Sequence, residues 1–129
     1  IGALRTHFTN PHGLPDPINH FTTAYDLALI ADAGFKTRGF EEFVSRPYHT
    51  VVFQNRAKGT PLVNTNKLLM TYQGANGVKT GTTNAAGKCL VSSARRGDLL
   101  LIAVVRNGGD AVLRDSTALL DYGFRVFGK

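Results

Sequence analysis

The chain has 129 residues, enough for one modest domain around one core. With 43% hydrophobic and 19% charged residues it is a folded chain rather than a disordered one. Its formal net charge of +6, from 15 Lys and Arg against 9 Asp and Glu, suits an anionic cell surface or an acidic substrate; nucleic acid is disfavoured, because the basic residues are scattered, their longest run is Arg95-Arg96, and no RNA-binding signature or zinc-finger spacing accompanies them.

Residues 6–20, THFTNPHGLPDPINH, carry turn chemistry: Asn10-Pro11, Gly13 and Pro15-Asp16-Pro17 each disfavour regular structure. A helix is expected next, with Thr23 to Asp26 as a capping box, Ala24, Leu27, Ala28 and Ala31 as its apolar face, and Gly34 at its end. A second short helix is expected around Gly39 to Ser45, stopped by Pro47. His49 to Gln54 reads as a strand, residues 55–66 as a loop, and Asn66 to Tyr72 as either a strand or a short helix. Asn76-Gly77 signals a turn and Val78 opens a strand. Gly87 to Arg95 and Leu99 to Arg106 form a hairpin about Arg96-Gly97-Asp98, its second strand apolar enough to be central and buried on both faces. The run Leu99 to Val105 is too short to cross a bilayer, and no charged segment followed by an apolar one opens the chain, so no signal peptide is expected here. Asp110 caps a last helix bearing Leu113, Leu120 and Phe124, ended by Gly123. Helices, then strands, then a closing helix give α+β, with an antiparallel sheet and helices packed on it.

Candidate chemistry is sparse. The single cysteine, Cys89, excludes an internal disulfide and reads as a small buried apolar residue rather than a nucleophile. His7, His12 and His20 match no established ligand spacing, so no metal is expected, and no cofactor is indicated. Asp16, Asp26, Asp110 and Asp115 suit turns or helix ends, and no pair of carboxylates is spaced for acid–base work. Lys79-Thr80-Gly81 is different. At a strand end, an ammonium beside a hydroxyl suits a carboxylate, Gly81 lets a ligand approach the backbone edge, and the N–H groups that follow can point at a developing oxyanion. Taken alone, the triplet is three residues long and reads more readily as an exposed lysine before a turn.

The triplet has company. Residues 10–16, NPHGLPD, and 20–30, HFTTAYDLALI, resemble the segment NPHGLPD…HYSTAYDMALI of the serine D-alanyl-D-alanine carboxypeptidases, the low-molecular-weight penicillin-binding proteins. The likeness continues in order through Asn64-Thr65-Asn66-Lys67-Leu68-Leu69 (NTNKLL in the family), residues 77–83, GVKTGTT (GVKTGYT in the family), residues 86–91, AGKCLV (AGYCLV in the family), Leu101 to Val105, and Leu119 to Phe124, nearly the whole chain. It implies the β-lactamase/DD-peptidase fold, an αβα sandwich of antiparallel sheet flanked by helices, incomplete here. It implies acyl transfer: a serine attacks the bond between the two terminal D-alanines of a peptidoglycan stem peptide, D-alanine leaves, and water hydrolyses the acyl-enzyme, while β-lactams acylate the same serine. Lys79 then supplies charge near the substrate carboxylate and the proton network, Thr80 hydrogen-bonds that carboxylate, Gly81 keeps the strand edge open, and the Thr82 N–H is one oxyanion donor.

Of the family's three motifs, S-x-x-K, S-x-N and K-T-G, only K-T-G occurs. Ser45, Ser92 and Ser116 lack the lysine three residues on, and no Ser-x-Asn is present. In the family both lie upstream of NPHGLPD, so the chain is expected to be the C-terminal part of a single catalytic domain, inactive alone, monomeric and stable only with its N-terminal half, with apolar surface bared around Leu99 to Val105. Some relatives carry arginine where this chain has Thr65, and many carry one at the start of the last helix, where it has Val112 with Arg114 close by. The family's C-terminal β-domain and amphipathic anchoring helix find no counterpart before the chain stops at Phe127-Gly128-Lys129. The resemblance implies an exported, cell-envelope protein, membrane-associated in the parent. The competing reading is a catalytically inactive module that keeps the fold and binds peptidoglycan or a partner protein.

Overall fold

The computed structural model describes residues 1–16, 18–55 and 58–128; Pro17 of the expected turn and residues 56 and 57 of the expected loop lie outside them, as does Lys129. The first segment is a loop closed by an isolated antiparallel bridge between His7 and Phe21. Side chains hold it in place of a ladder. Asn10 Oδ1 accepts the Gly13 N–H at 2.8 Å, and Asp16 Oδ1 accepts those of Ile18 and Asn19, each at 3.0 Å.

Helix α1 (Ala24–Phe35) starts at the expected cap, with Thr23 Oγ1 accepting the Asp26 N–H at 3.0 Å. The reciprocal half of the capping box is not made. The buried Asp26 carboxylate accepts instead from the Arg5 N–H and the Thr6 hydroxyl, both at 2.7 Å, tying the N-terminal segment to the helix. Ala24 is exposed rather than on the core face, while Ala31 is buried. Gly34 does not end the helix. A Cβ there would sit 2.7 Å from Phe40 Cζ, so its role is to admit that ring. Helix α2 (Phe40–Val44) follows as expected, entered through Gly39 at φ +83°.

Strand β1 (Tyr48–Val51) is shorter than its apolar pattern, and β2 (Thr60–Val63) lies within the stretch expected to be loop; the two pair antiparallel from Tyr48↔Val63 to Val51↔Thr60. The ambiguous segment resolves as one helical turn, α3 (Leu68–Thr71). Gly74, at φ +82°, then turns the chain into β3 (Ala75–Thr83). Asn76-Gly77 is therefore inside a strand rather than a turn, and the irregularity that its composition announces is a register shift between Ala75 and Gly77. β4 (Gly87–Arg96) and β5 (Leu99–Val105) complete an antiparallel sheet of order β3-β4-β5.

The central strand of that sheet is β4, not the more apolar β5. Leu90, Ser92, Ser93 and Ala94 of β4 are fully buried, whereas in β5 only Ala103 is buried and its neighbours are half-buried. A strand flanked on both edges is covered whatever its hydropathy; among the described residues β5 has a partner on one edge only.

The last helix, α4 (Val112–Phe127), is preceded by a tight turn at Gly109–Ala111. Asp110 does not cap it and is engaged by Lys88. Gly123 does not end it either: it is buried mid-helix against Leu101, and Gly128 follows the last turn. Leu120 and Phe124 of α4 close the core with Leu68, Leu90, Ala94 and Ala103, each large aliphatic side chain contributing roughly 2 kcal/mol by leaving water. Ser93, next to Ala94 and so on the opposite face of β4, pairs with Gly77, whose open side faces Phe35 of α1 and Val44 of α2. Helices thus cover both faces of the sheet, giving the αβα arrangement. Beside β5 an apolar groove of about 290 Å³ remains open between Leu101, Ile102 and Val104 and the α4 residues Leu119, Tyr122 and Phe127. No helix among the described residues is long and apolar enough to cross a membrane.

Candidate functional site

The K-T-G triplet lies on β3, an edge strand of the three-stranded sheet, so one side of its backbone is free of a ladder partner from β4. It borders a groove of about 700 Å³, with Thr65 and Lys67 on one wall and Lys88, Cys89, Val112 and Leu113 on the other. Lys79, Gly81 and Thr82 are exposed and Thr80 is half-buried. Lys79 Nζ donates to the Thr80 carbonyl oxygen and has no carboxylate partner among the described residues. A Cβ on Gly81 would meet nothing within 4 Å, so glycine is required there by nothing inside the chain. Its bare edge leaves the backbone there open to close approach.

One buried contact brings the second wall against β3, and a second fixes the residue that makes it. Asn66, 1% exposed, donates from Nδ2 to the Gly77 carbonyl at 2.8 Å and accepts the Leu68 N–H at 3.2 Å, pinning the entry of α3 to the strand. Asn64 Oδ1 accepts the Asn66 N–H at 2.9 Å, and its Nδ2 donates to the Arg46 carbonyl at 3.0 Å. Between these clamps Thr65 is presented to Thr80, their hydroxyl oxygens 2.5 Å apart. Residue composition announces neither asparagine as a site residue; the alternation of Asn with a groove-lining residue in Asn64-Thr65-Asn66 is the signal that was available.

The opposite wall is held by Lys88, whose ammonium hydrogen-bonds Asp110 and whose carbonyl accepts the Gly108 N–H at 2.9 Å. The Lys88 hydrogen bond, with its charge, holds the Asp110 carboxyl below its ordinary pKa. Among the described residues, Lys67 and Lys79 therefore carry the groove's positive charge that no carboxylate pairs. Arg114, near the position where an arginine was missed, does not line the groove and contacts Asp115 instead. Cys89 is half-buried on the groove wall rather than buried, its thiol directed to the Ala86 carbonyl at 3.3 Å.

The three loop histidines are spent on the loop. His7 Nδ1 lies 2.5 Å from the Asn19 carbonyl, His20 Nδ1 accepts the Thr9 N–H at 3.1 Å, and His12 Nδ1 accepts the Leu14 N–H at 3.2 Å. No three metal-ligating side chains converge among the described residues.

The profile of the D-alanyl-D-alanine carboxypeptidase family, peptidase family S11, matches residues 1–109. Similar relatives include the D-alanyl-D-alanine carboxypeptidases DacF of Bacillus subtilis (37% identical over 98% of this chain and 33% of that protein) and DacB2 of Mycobacterium tuberculosis (35% identical over 98% of this chain and 45% of that protein). Among solved structures, an S216A mutant of the Streptomyces K15 DD-transpeptidase superposes with a TM-score of 0.84 at 34% identity, over 93% of this chain and 48% of that one. The chain belongs to the D-alanyl-D-alanine carboxypeptidase family and has its penicillin-binding DD-peptidase fold. It spans from a third to about half the length of these relatives.

Proposed function

We propose that this chain is the C-terminal part of a serine D-Ala-D-Ala carboxypeptidase catalytic domain, and that β3 supplies its share of the active site. The observation that carries the reading is the exposed K-T-G on an open sheet edge, fronting a groove whose unpaired charges are Lys67 and Lys79. A stem peptide laid along β3 adds to the sheet edge. Its terminal carboxylate meets the Thr80 hydroxyl and the Lys79 ammonium through charge-assisted bonds. The Thr82 N–H donates to the carbonyl oxygen as it takes on negative charge, in company with the N–H of a serine from the preceding half of the domain. That serine's oxygen bonds to the carbonyl carbon, the peptide C–N bond breaks, and D-alanine leaves as the amine takes a proton. Water then cleaves the ester, and penicillins acylate the same serine. The net positive charge of the chain suits an anionic envelope polymer, and the relatives are bacterial, which supports an exported, extracytoplasmic protein.

The test is fluorescent-penicillin labelling of the full-length gene product, with release of D-alanine from a synthetic stem peptide as the second readout. Labelling that requires Lys79, together with D-alanine release, is expected. A full-length product that folds, takes no label and releases no D-alanine would overturn the reading in favour of an inactive binding module.

A further inference from the structure

The contact between Thr65 and Thr80 has a chemical consequence. Two hydroxyls 2.5 Å apart share one hydrogen bond, so one donates and the other accepts. If Thr80 donates to Thr65, its proton is committed and it has none for a ligand. If Thr65 donates to Thr80, the Thr80 proton is free to point into the groove. An anion beside Thr80 selects the second arrangement, and the donated bond polarises the Thr80 hydroxyl into a stronger donor. Thr65 is itself exposed and makes no backbone hydrogen bond through its side chain, while the residues on either side of it, Asn64 and Asn66, are clamped to the Arg46 and Gly77 carbonyls. The clamps do not need a hydroxyl between them.

We infer that Thr65 is a positioning residue for carboxylate recognition: it orients the Thr80 hydroxyl, through the hydrogen bond it donates, toward the terminal carboxylate of the bound peptide. The inference rests on the proposed function, since it assigns a role within that site. It also accounts for how the groove manages without an arginine at this position. The charge comes from Lys79 and Lys67, and the directed hydrogen bond from a pair of threonines.

The experiment is carried out on the full-length protein with a synthetic peptide ending in D-Ala-D-Ala, and with the same peptide as its C-terminal amide. Thr65→Val and Thr65→Ala remove the hydroxyl with and without the branched shape, and Thr65→Ser restores it. Both hydroxyl-free variants are expected to lower kcat/KM for the carboxylate peptide by about tenfold, the upper end for one neutral hydrogen bond, since the bond removed is the one between the two threonines. Thr65→Ser should return it to within about twofold, and the amide peptide, whose carbonyl is a weaker acceptor than a carboxylate, should lose clearly less in the hydroxyl-free variants. Thr65→Val added to Thr80→Val should cost nothing further, because the partner it orients is gone. Unchanged kcat/KM in both hydroxyl-free variants, or equal losses on acid and amide, would overturn the assignment while leaving the enzyme reading intact. A wild-type protein without activity or penicillin labelling would instead sink the functional reading on which it rests.

Discussion

The guanidinium carbon of Arg96 lies 4.1 Å from the centroid of the Phe124 ring. It lies 5.2 Å from the ring of Tyr72, whose hydroxyl donates to Asp121 at 2.7 Å. A residue at the β4–β5 turn is thereby joined to α4 and to the end of α3. Arg96→Ala should lower stability by about 1 kcal/mol, as expected for a cation over aromatic faces at a partly exposed site, and Arg96→Lys should lose less. Urea denaturation of the two variants checks this.

Burial, and then the hydrogen bond to Asp121, pushes the Tyr72 phenol up to about 12. Because the folded value is raised, the unfolded chain loses this proton first. The stabilisation is therefore complete below pH 10, near the ordinary tyrosine value, and is lost as pH rises through the folded value of about 12. Ultraviolet titration should show one of the four tyrosines ionising late, and Tyr72→Phe should remove that phase.

Asp26 works at the other end of the scale. The hydrogen bond from the Thr6 hydroxyl, then that from the Arg5 N–H, hold its carboxyl below the ordinary aspartate value against the opposing effect of burial. A depressed folded pKa stabilises above the unfolded value and is lost as pH falls through the folded one. Asp26→Asn should therefore be less stable than the parent at neutral pH and show a flatter loss toward acid, measured as Tm against pH from 7 down to about 3.

Gly74 is in the left-handed region at φ +82°, and a Cβ on it would stand 2.4 Å from the Arg95 carbonyl oxygen. Neither the backbone of β4 nor the turn can give way without breaking the Arg95 N–H bond to the Gly74 carbonyl, 2.8 Å long. Gly74→Ala should cost more than about 2 kcal/mol from strain and clash combined. Denaturation midpoints decide it: a midpoint equal to that of the parent would contradict this geometry.

Lys79→Ala should reduce D-alanine release and penicillin acylation by the full-length protein about a hundredfold or more, the scale of removing one electrostatic element from an acyl-transfer site. Tm should stay within about 1 °C, because the side chain is exposed and its hydrogen bond is to the neighbouring carbonyl alone.

Local chemistry was legible in the residues. Thr23 as a helix cap, the turn-rich loop before it, the β4–β5 hairpin and the α+β class could all be read, because each depends on interactions within a few positions. So could the K-T-G triplet, once the ordered segments around it were seen together. What could not be read was which element each residue would meet. Asp110 has the composition of a helix cap and instead holds Lys88 on one wall of the groove; Gly34 and Gly123 look like helix ends and are instead spaces for Phe40 and Leu101. Asn76-Gly77 looks like a turn and is a strand irregularity, since Gly74 had already turned the chain. The sharpest case is the sheet. Hydropathy favours β5 as the central strand, but strand order is set by pairing, and β4, with two serines at its middle, has neighbours on both edges. The same holds for the site. Sequence alone determined that Lys79, Thr80 and Gly81 sit together; only the tertiary structure brought Thr65 against Thr80, because that contact depends on Asn66 closing a buried hydrogen bond to a strand eleven residues further on.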